Sequence, residues 1–180
     1  MQHGDSAGNV FAEIRSTTNW GAEVKAWRIS GTGRTVLDGE ETREDGGRWH
    51  RAGRPLVYTA SSCALALAEC IAHLDGEPDT LVALEIDVPD DLRRDCIDQS
   101  ALPADWRTPR HEQCCRSGED WLARDPSERG AVLLVPSAVV PLEQNVIVDP
   151  WHPEASRVSI LQVHDFELDE RLVNAASRAE

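Results

Sequence analysis

Hydrophobic positions change their period several times along the chain, and each change marks an element. Leu81 to Val88 alternate strictly: Val82, Leu84, Ile86 and Val88 fall on one face, Ala83, Glu85 and Asp87 on the other. That is the pattern of a half-buried strand. Val24 to Ile29, ended by Gly31 and Gly33, predicts a first strand, and Leu56 to Ala60 a second. Ala131 to Val135 is short and wholly apolar; Val146 to Val148 and Val158 to Val163 complete the strands. Ser61-Ser62 supplies an N-cap for a helix from Cys63 to Leu74, closed by Asp75-Gly76. Arg110 to Arg124 predicts a helix that buries Trp121, and Leu168 to Ala179 a C-terminal helix. Thr32 to Gly47 is rich in glycine and charge, with Asp38, Glu40, Glu41 and Glu44 close together, and reads as a mobile surface loop or flap. Residues 1–22 are polar and aperiodic, an N-terminal extension forming a tail or peripheral strap, and one domain spans 23–180. Mixed order with short strands predicts an α+β fold.

Composition narrows the function classes. A chain of 180 residues with 41% hydrophobic content and six tryptophans can build a single real core. Net charge of −14 argues against nucleic acid as a target, because phosphate backbones demand basic patches. The charge serves solubility equally well as it would serve a large basic partner. Five cysteines (63, 70, 96, 114, 115) include no Cys-x-x-Cys pair and read as reduced thiols of a cytoplasmic protein. The first 20 residues carry no apolar signal segment, and no run approaches the roughly 18 apolar residues of a membrane span.

Several chemistries find no support. The six histidines are scattered, and His111 with Cys114 and Cys115 is the nearest approach to a metal cluster, so no metal is expected. A Walker motif is absent, the only lysine being Lys25, and Gly31-Thr32-Gly33 is too short for a dinucleotide fingerprint. Ser137 lacks a nucleophile-elbow context and reads on its own as a turn residue.

What remains is a spaced series. Arg48 follows Gly46-Gly47; ten residues on comes Tyr58, the only tyrosine; Glu69 sits on the predicted helix after it. An arginine forks onto phosphate. An aromatic face packs against a flat cationic ring. A carboxylate in apolar surroundings stabilises positive charge that develops in a transition state. Each has a plainer reading: Arg48 as a surface residue paired with Glu44 or Asp45, Tyr58 as a core aromatic, Glu69 as an exposed helix glutamate. Against the last stands the helix itself. Ala64, Leu67, Ile71 and Leu74 form one apolar stripe, yet Glu69 on the other side has Leu65, Ala66, Ala72 and His73 for company, so both sides are expected to be covered. Arg28, between Trp27 and Ile29 in a strand, needs a buried anionic partner, either a ligand phosphate or an internal carboxylate.

From about Val24 to Val163 the chain resembles the RES domain, the toxin half of bacterial RES–Xre type II toxin–antitoxin pairs. Four blocks carry the resemblance, in the family's order. They are Trp27-Arg28-Ile29-Ser30; Gly46-Gly47-Arg48-Trp49 with Gly53 and Val57-Tyr58-Thr59-Ala60; Ala66-Leu67-Ala68-Glu69; and Val135-Pro136-Ser137 to Pro141, with Asn145 and Asp149-Pro150-Trp151-His152-Pro153. One departure is His50, where many members have asparagine.

The resemblance implies an ADP-ribosyltransferase-like fold, two packed small β-sheets with flanking helices that clamp NAD. It implies an enzyme that degrades NAD by cleaving the nicotinamide–ribose bond, by hydrolysis or phosphorolysis. Alternatives are ADP-ribosyl transfer to a protein, or a NAD or ADP-ribose binding module without turnover. Glu69, Arg48 and Tyr58 are then the catalytic set; Arg28, Arg48, Tyr58, Ser137 and Asn145 contact the substrate, Asn145 also fastening the loop before it. NAD is substrate, no further cofactor is needed, and the implied partner is an Xre-type antitoxin. A homo-oligomer stays open.

Overall fold

Among the described residues, six largely apolar runs and two polar ones form eight strands, with two α-helices between them. The structure, a computed structural model, describes residues 14–17, 24–73, 80–169 and 171–172. In chain order the elements are β1 (Ile14–Thr17), β2 (Val24–Gly31), β3 (Val57–Ala60), α1 (Cys63–Ala72), β4 (Leu81–Val88), β5 (Arg94–Ile97), α2 (Glu112–Ala123), β6 (Val132–Pro136), β7 (Gln144–Val148) and β8 (Ser159–Phe166). The strands run in the order β1-β5-β6-β7-β3-β2-β4-β8, antiparallel except for β5 beside β6.

The middle of this ladder is narrow, since β2 and β3 pair only through Trp27 and Ala60. On one face, Ala26, Val57, Val82, Leu84, Ile86, Val132, Leu134, Val146 and Val148 share a single buried cluster to which neither helix contributes. The two halves of the sheet therefore bury one another on this inner face. The other face carries the helices: Trp49, Trp121, Leu133, Val135 and Ile147 cluster under α2, and Ala60, Leu65 and Ala66 under α1. The α+β class and the packing of two small sheets with flanking helices are borne out, the two sheets being halves of one ladder.

Two strands escape the hydropathy pattern. β1 lies inside the polar N-terminal stretch and pairs with β5 at the sheet's edge. β5 begins Arg94-Asp95, yet both residues are buried. Arg94 donates to the carbonyls of Val88 and Pro89, at 2.9 and 2.8 Å. Asp95 Oδ2 accepts from Trp121 Nε1, Arg124 and the Gly130 amide, at 3.0, 2.8 and 2.8 Å. Charges so paired are tolerated in an interior that would otherwise reject them.

Three further expectations are corrected. The acidic segment before Arg48 is a hydrogen-bonded knot rather than an open flap. Its Thr42 hydroxyl bonds the Gly39 and Leu56 carbonyls and accepts from the Leu56 amide, and Glu41 pairs with Arg28 at 2.6 Å. On α1 the stripes are reversed: Leu65 and Ala66, on the Glu69 side, are the buried residues, while Ala64 is exposed. The single side chains of Ala60, Trp27 and Ile29 that meet α1 decide this, not the helix's own pattern. α2 starts at Glu112 because His111 caps it, Nδ1 accepting from the Gln113 amide at 3.1 Å. The predicted C-terminal helix and the Asp75-Gly76 stop lie, but for a few residues, outside the described residues.

Candidate functional site

Glu69 is fixed by partners far away in the chain. Ser62 caps α1, accepting from the Leu65 amide at 3.0 Å, and so sets the helix's rotation. That rotation turns Glu69 toward the ends of β6 and β7. Its Oε1 accepts from Ser137 Oγ at 2.7 Å and from Asn145 Nδ2 at 2.7 Å. Ser137, at 0% exposure, is fully committed: its oxygen also accepts from the Val139 and Val140 amides, at 3.1 and 2.9 Å. It holds the carboxylate and has no lone pair left for a ligand. Because a carboxylate can only accept, the amide of Asn145 must present its NH2 to Glu69. Its Oδ1 is then a buried acceptor with no partner among the described residues. The second carboxylate oxygen of Glu69 is open, 4.0 Å from the ring of His73, whose side chain is 81% exposed.

Tyr58 lies on the same helix-bearing face. It sits opposite Ile147, and its neighbour on that face, Ala60, sits opposite Asn145. Diagonal neighbours of this kind are about 7–8 Å apart. The hydroxyl is spoken for: it accepts from the Trp49 amide at 3.2 Å and meets His50 Nδ1 at 2.9 Å. Burial pushes its pKa well up and pushes that of His50 down. His50 Nδ1 and the Tyr58 hydroxyl share one hydrogen bond, and His50 Nε2 is buried with no partner among the described residues. The plainer reading of the hydroxyl therefore holds, and His50 is its keeper. Gly47 must be glycine here, since a Cβ would stand 2.5 Å from the Tyr58 oxygen.

Arg48 is held in the same way. One Nη donates to the carbonyls of Trp106 and Thr108, both at 2.8 Å, and the other to Arg107 O at 3.3 Å. Three successive carbonyls thus converge on one guanidinium. Among the described residues no carboxylate lies within 4.0 Å of it, so Glu44 and Asp45 are not its partners and its charge stays uncompensated. Arg107, which the sequence pattern did not single out, donates Nε to Ala138 O at 2.9 Å, next to Ser137. The only signal for it was an arginine between Trp106 and Pro109 in a loop.

Arg28 does not join this group. As the neighbour of Trp27 on β2 it points to the inner face, where Glu41 supplies the internal carboxylate that the strand context demanded. The Asp149–Pro153 block is a fastening: buried Asp149 takes Arg54 and Arg129, each at 2.6 Å, and His152 bonds the Pro126 carbonyl at 3.0 Å. Surface depressions of about 450 and 440 Å³ lie elsewhere, at Gly31–Arg34 and beside Leu142. Among the described residues no cluster of histidine, cysteine or carboxylate groups could hold a metal ion, and no helix is long and apolar enough to cross a membrane.

The assembled site is a half-buried carboxylate with one oxygen anchored and one open, an unpartnered amide oxygen beside it, and two uncompensated guanidinium groups nearby. Comparison with known proteins agrees on the family. The RES domain profile matches residues 25–169. The "Prs ADP-ribosylating toxin" of Sphingobium sp. (strain YBL2) is 35% identical over 159 residues, covering 83% of this chain and 97% of the relative. "Toxin Res" of Photorhabdus laumondii is 37% identical over 155 residues, covering 83% and 90%. "Toxin Res" of Pseudomonas putida is 37% identical over 156 residues, covering 81% and 97%. A crystal structure of the M. tuberculosis MbcT-MbcA toxin-antitoxin complex superposes with a TM-score of 0.67 over 95% of each chain at 22% identity, a likeness of fold. The chain belongs to the RES domain family.

Proposed function

We propose that this member of the RES family is the toxin of a bacterial toxin–antitoxin pair and acts on NAD in the cytoplasm, breaking the nicotinamide–ribose bond and depleting the cell of NAD. The carrying observation is Glu69, anchored at Oε1 by Ser137 and Asn145 and open at Oε2. Nicotinamide leaves with the bonding electron pair, and the ribose becomes oxocarbenium-like. A carboxylate already oriented before that charge appears stabilises it without reorganising. Asn145 Oδ1, a buried acceptor in want of a donor, suits a ribose hydroxyl. Arg48 brings positive charge to the pocket's rim and organises the loop at 106–108, and Tyr58 with His50 holds the segment that carries Arg48. Water captures the sugar to give ADP-ribose and a proton; inorganic phosphate would give the 1″-phosphate.

A second reading has its own support. The Sphingobium relative is named for ADP-ribosylation, and the same bond cleavage with a protein nucleophile in place of water gives that outcome here. Toxins named Res among the relatives support an antitoxin partner, here an Xre-type protein attracted by the net charge of −14. The test is NAD labelled on the adenosine side, mixed with purified protein and with lysate. Released nicotinamide with free labelled ADP-ribose or its phosphate supports the first reading; label on a polypeptide supports the second. No nicotinamide release in either mixture refutes both and leaves a binding module. Glu69→Gln keeps an acceptor for both anchoring donors, so it should fold normally and lose about 10²–10³ in rate; near-normal release from it would remove Glu69 from the mechanism. Expression alone should arrest growth with a fall in NAD, and co-expression of the antitoxin should restore both.

A further inference from the structure

We infer that Arg107, rather than Arg48, is the group that takes the diphosphate of the substrate, and that Arg48 acts as its positioning residue. The inference rests on the proposed reaction and deepens it. Arg48 spends its Nη donors on the carbonyls of Trp106, Arg107 and Thr108. Three acceptors converging on one planar cation hold the backbone at 106–108 in a single course. The side chain of Arg107 is pinned at its base, Nε to Ala138 O at 2.9 Å, while the residue as a whole is exposed. No carboxylate among the described residues lies within 4.0 Å of its guanidinium. Like Arg48, Arg107 is a pinned arginine left without an acidic partner among the described residues, in a chain with 32 acidic and 18 basic residues.

Its location gives the arrangement a use. Ala138 anchors Arg107 and Ser137 anchors Glu69. These are consecutive residues, whose Cα atoms stand about 3.8 Å apart. The open Nη fork of Arg107 and the open oxygen of Glu69 are thus mounted on one short stretch of backbone. A nucleoside diphosphate joined to a sugar needs this pair of charges: a fixed cation for the diphosphate and a fixed anion for the reacting sugar carbon. Arg28 is the poorer candidate for the cation, being turned to the inner face and paired through one Nη with Glu41, its other Nη buried without a partner among the described residues.

The test uses ADP as the binding probe and NAD as the substrate. Titration of ADP into Arg107→Gln should show an affinity at least tenfold weaker than wild type, with Arg107→Lys in between, because a point charge replaces the fork. In NAD turnover, Arg107→Gln should raise KM at least tenfold and leave kcat within about threefold. Arg34→Gln, an exposed arginine at another site, should match wild type in both assays. Arg48→Lys should weaken ADP as Arg107→Gln does, and the double variant should be no weaker than the worse single, as expected of residues acting through one contact. Equal ADP affinity of wild type and Arg107→Gln overturns the inference, as does a wild-type enzyme that turns over NAD yet ignores ADP. A wild type that binds ADP through Arg107 but releases no nicotinamide refutes the proposed reaction alone.

Discussion

Replacing Ser137 by alanine separates an anchor from a catalytic group. The lost hydroxyl donates to Glu69 Oε1 at 2.7 Å and accepts from the Val139 and Val140 amides. A hydrogen bond to a charged group is worth about 1.5–3 kcal/mol, and the carboxylate's 23% exposure places this one at the low end. The two amides belong to half-buried residues, so water can partly replace their acceptor, at about 0.5–1 kcal/mol each. The total, about 2.5–4 kcal/mol, is less than the 5–15 kcal/mol that usually holds a domain together, so the variant should fold. At about 2–4 °C per kcal/mol for a chain of this size, Tm should fall by roughly 5–15 °C. Glu69 keeps its bond from Asn145, so kcat for nicotinamide release should drop about tenfold, the cost of a carboxylate held by one donor instead of two. Circular dichroism melts and a nicotinamide-release assay measure the two effects. An unchanged Tm and rate would mean that Ser137 anchors nothing. A loss above a thousandfold at unchanged Tm would mean that it touches the reacting atoms.

Further outcomes follow from the packing around Arg48. Gly118 on α2 meets the backbone of Trp49 so closely that a Cβ would stand 1.7 Å from its carbonyl oxygen, so Gly118→Ala should cost about 3 kcal/mol or more in a urea titration. A variant as stable as wild type would show that α2 does not pack there. His50 is buried and its pKa lies below the ordinary 6.5. The unfolded chain therefore binds a proton near pH 6.5 that the native protein refuses, and the stability present above that pH is lost as pH falls toward the native value. Melts at pH 7.5 and 5.5 should show this drop, and His50→Asn, which cannot titrate but can still bond the Tyr58 hydroxyl, should shrink it. An identical drop in both proteins would assign it to other groups.

What local pattern could determine, it determined. Strict alternation placed β4 to the residue, the Ser62 cap placed the start of α1, and a glutamate in apolar company was correctly suspected of facing inward. The spaced blocks identified the family without any coordinates. Each of these signals is carried by residues within a turn or two of one another, where the chain's own geometry fixes what they share.

The remainder depended on partners that no local window contains. The buried Asp95 of β5 is accommodated by the donors of Trp121 and Gly130 and the charge of Arg124, and those residues come later in the chain. Arg28 and Tyr58 look alike as flanked polar residues in strands, yet the single pairing of Trp27 with Ala60 sends them to opposite faces of the sheet. Arg48 pairs with no acid near it in sequence but with carbonyls 58 to 60 residues away. Glu69 meets Ser137 and Asn145 across 68 and 76 residues. Which charge is spent on the fold and which is left for a ligand is settled only when these distant groups meet. A charge's free energy in a protein depends on what stands within a few ångströms of it, and for Arg28, Arg48, Glu69 and Asp95 tertiary contacts supply the hydrogen-bonding neighbours.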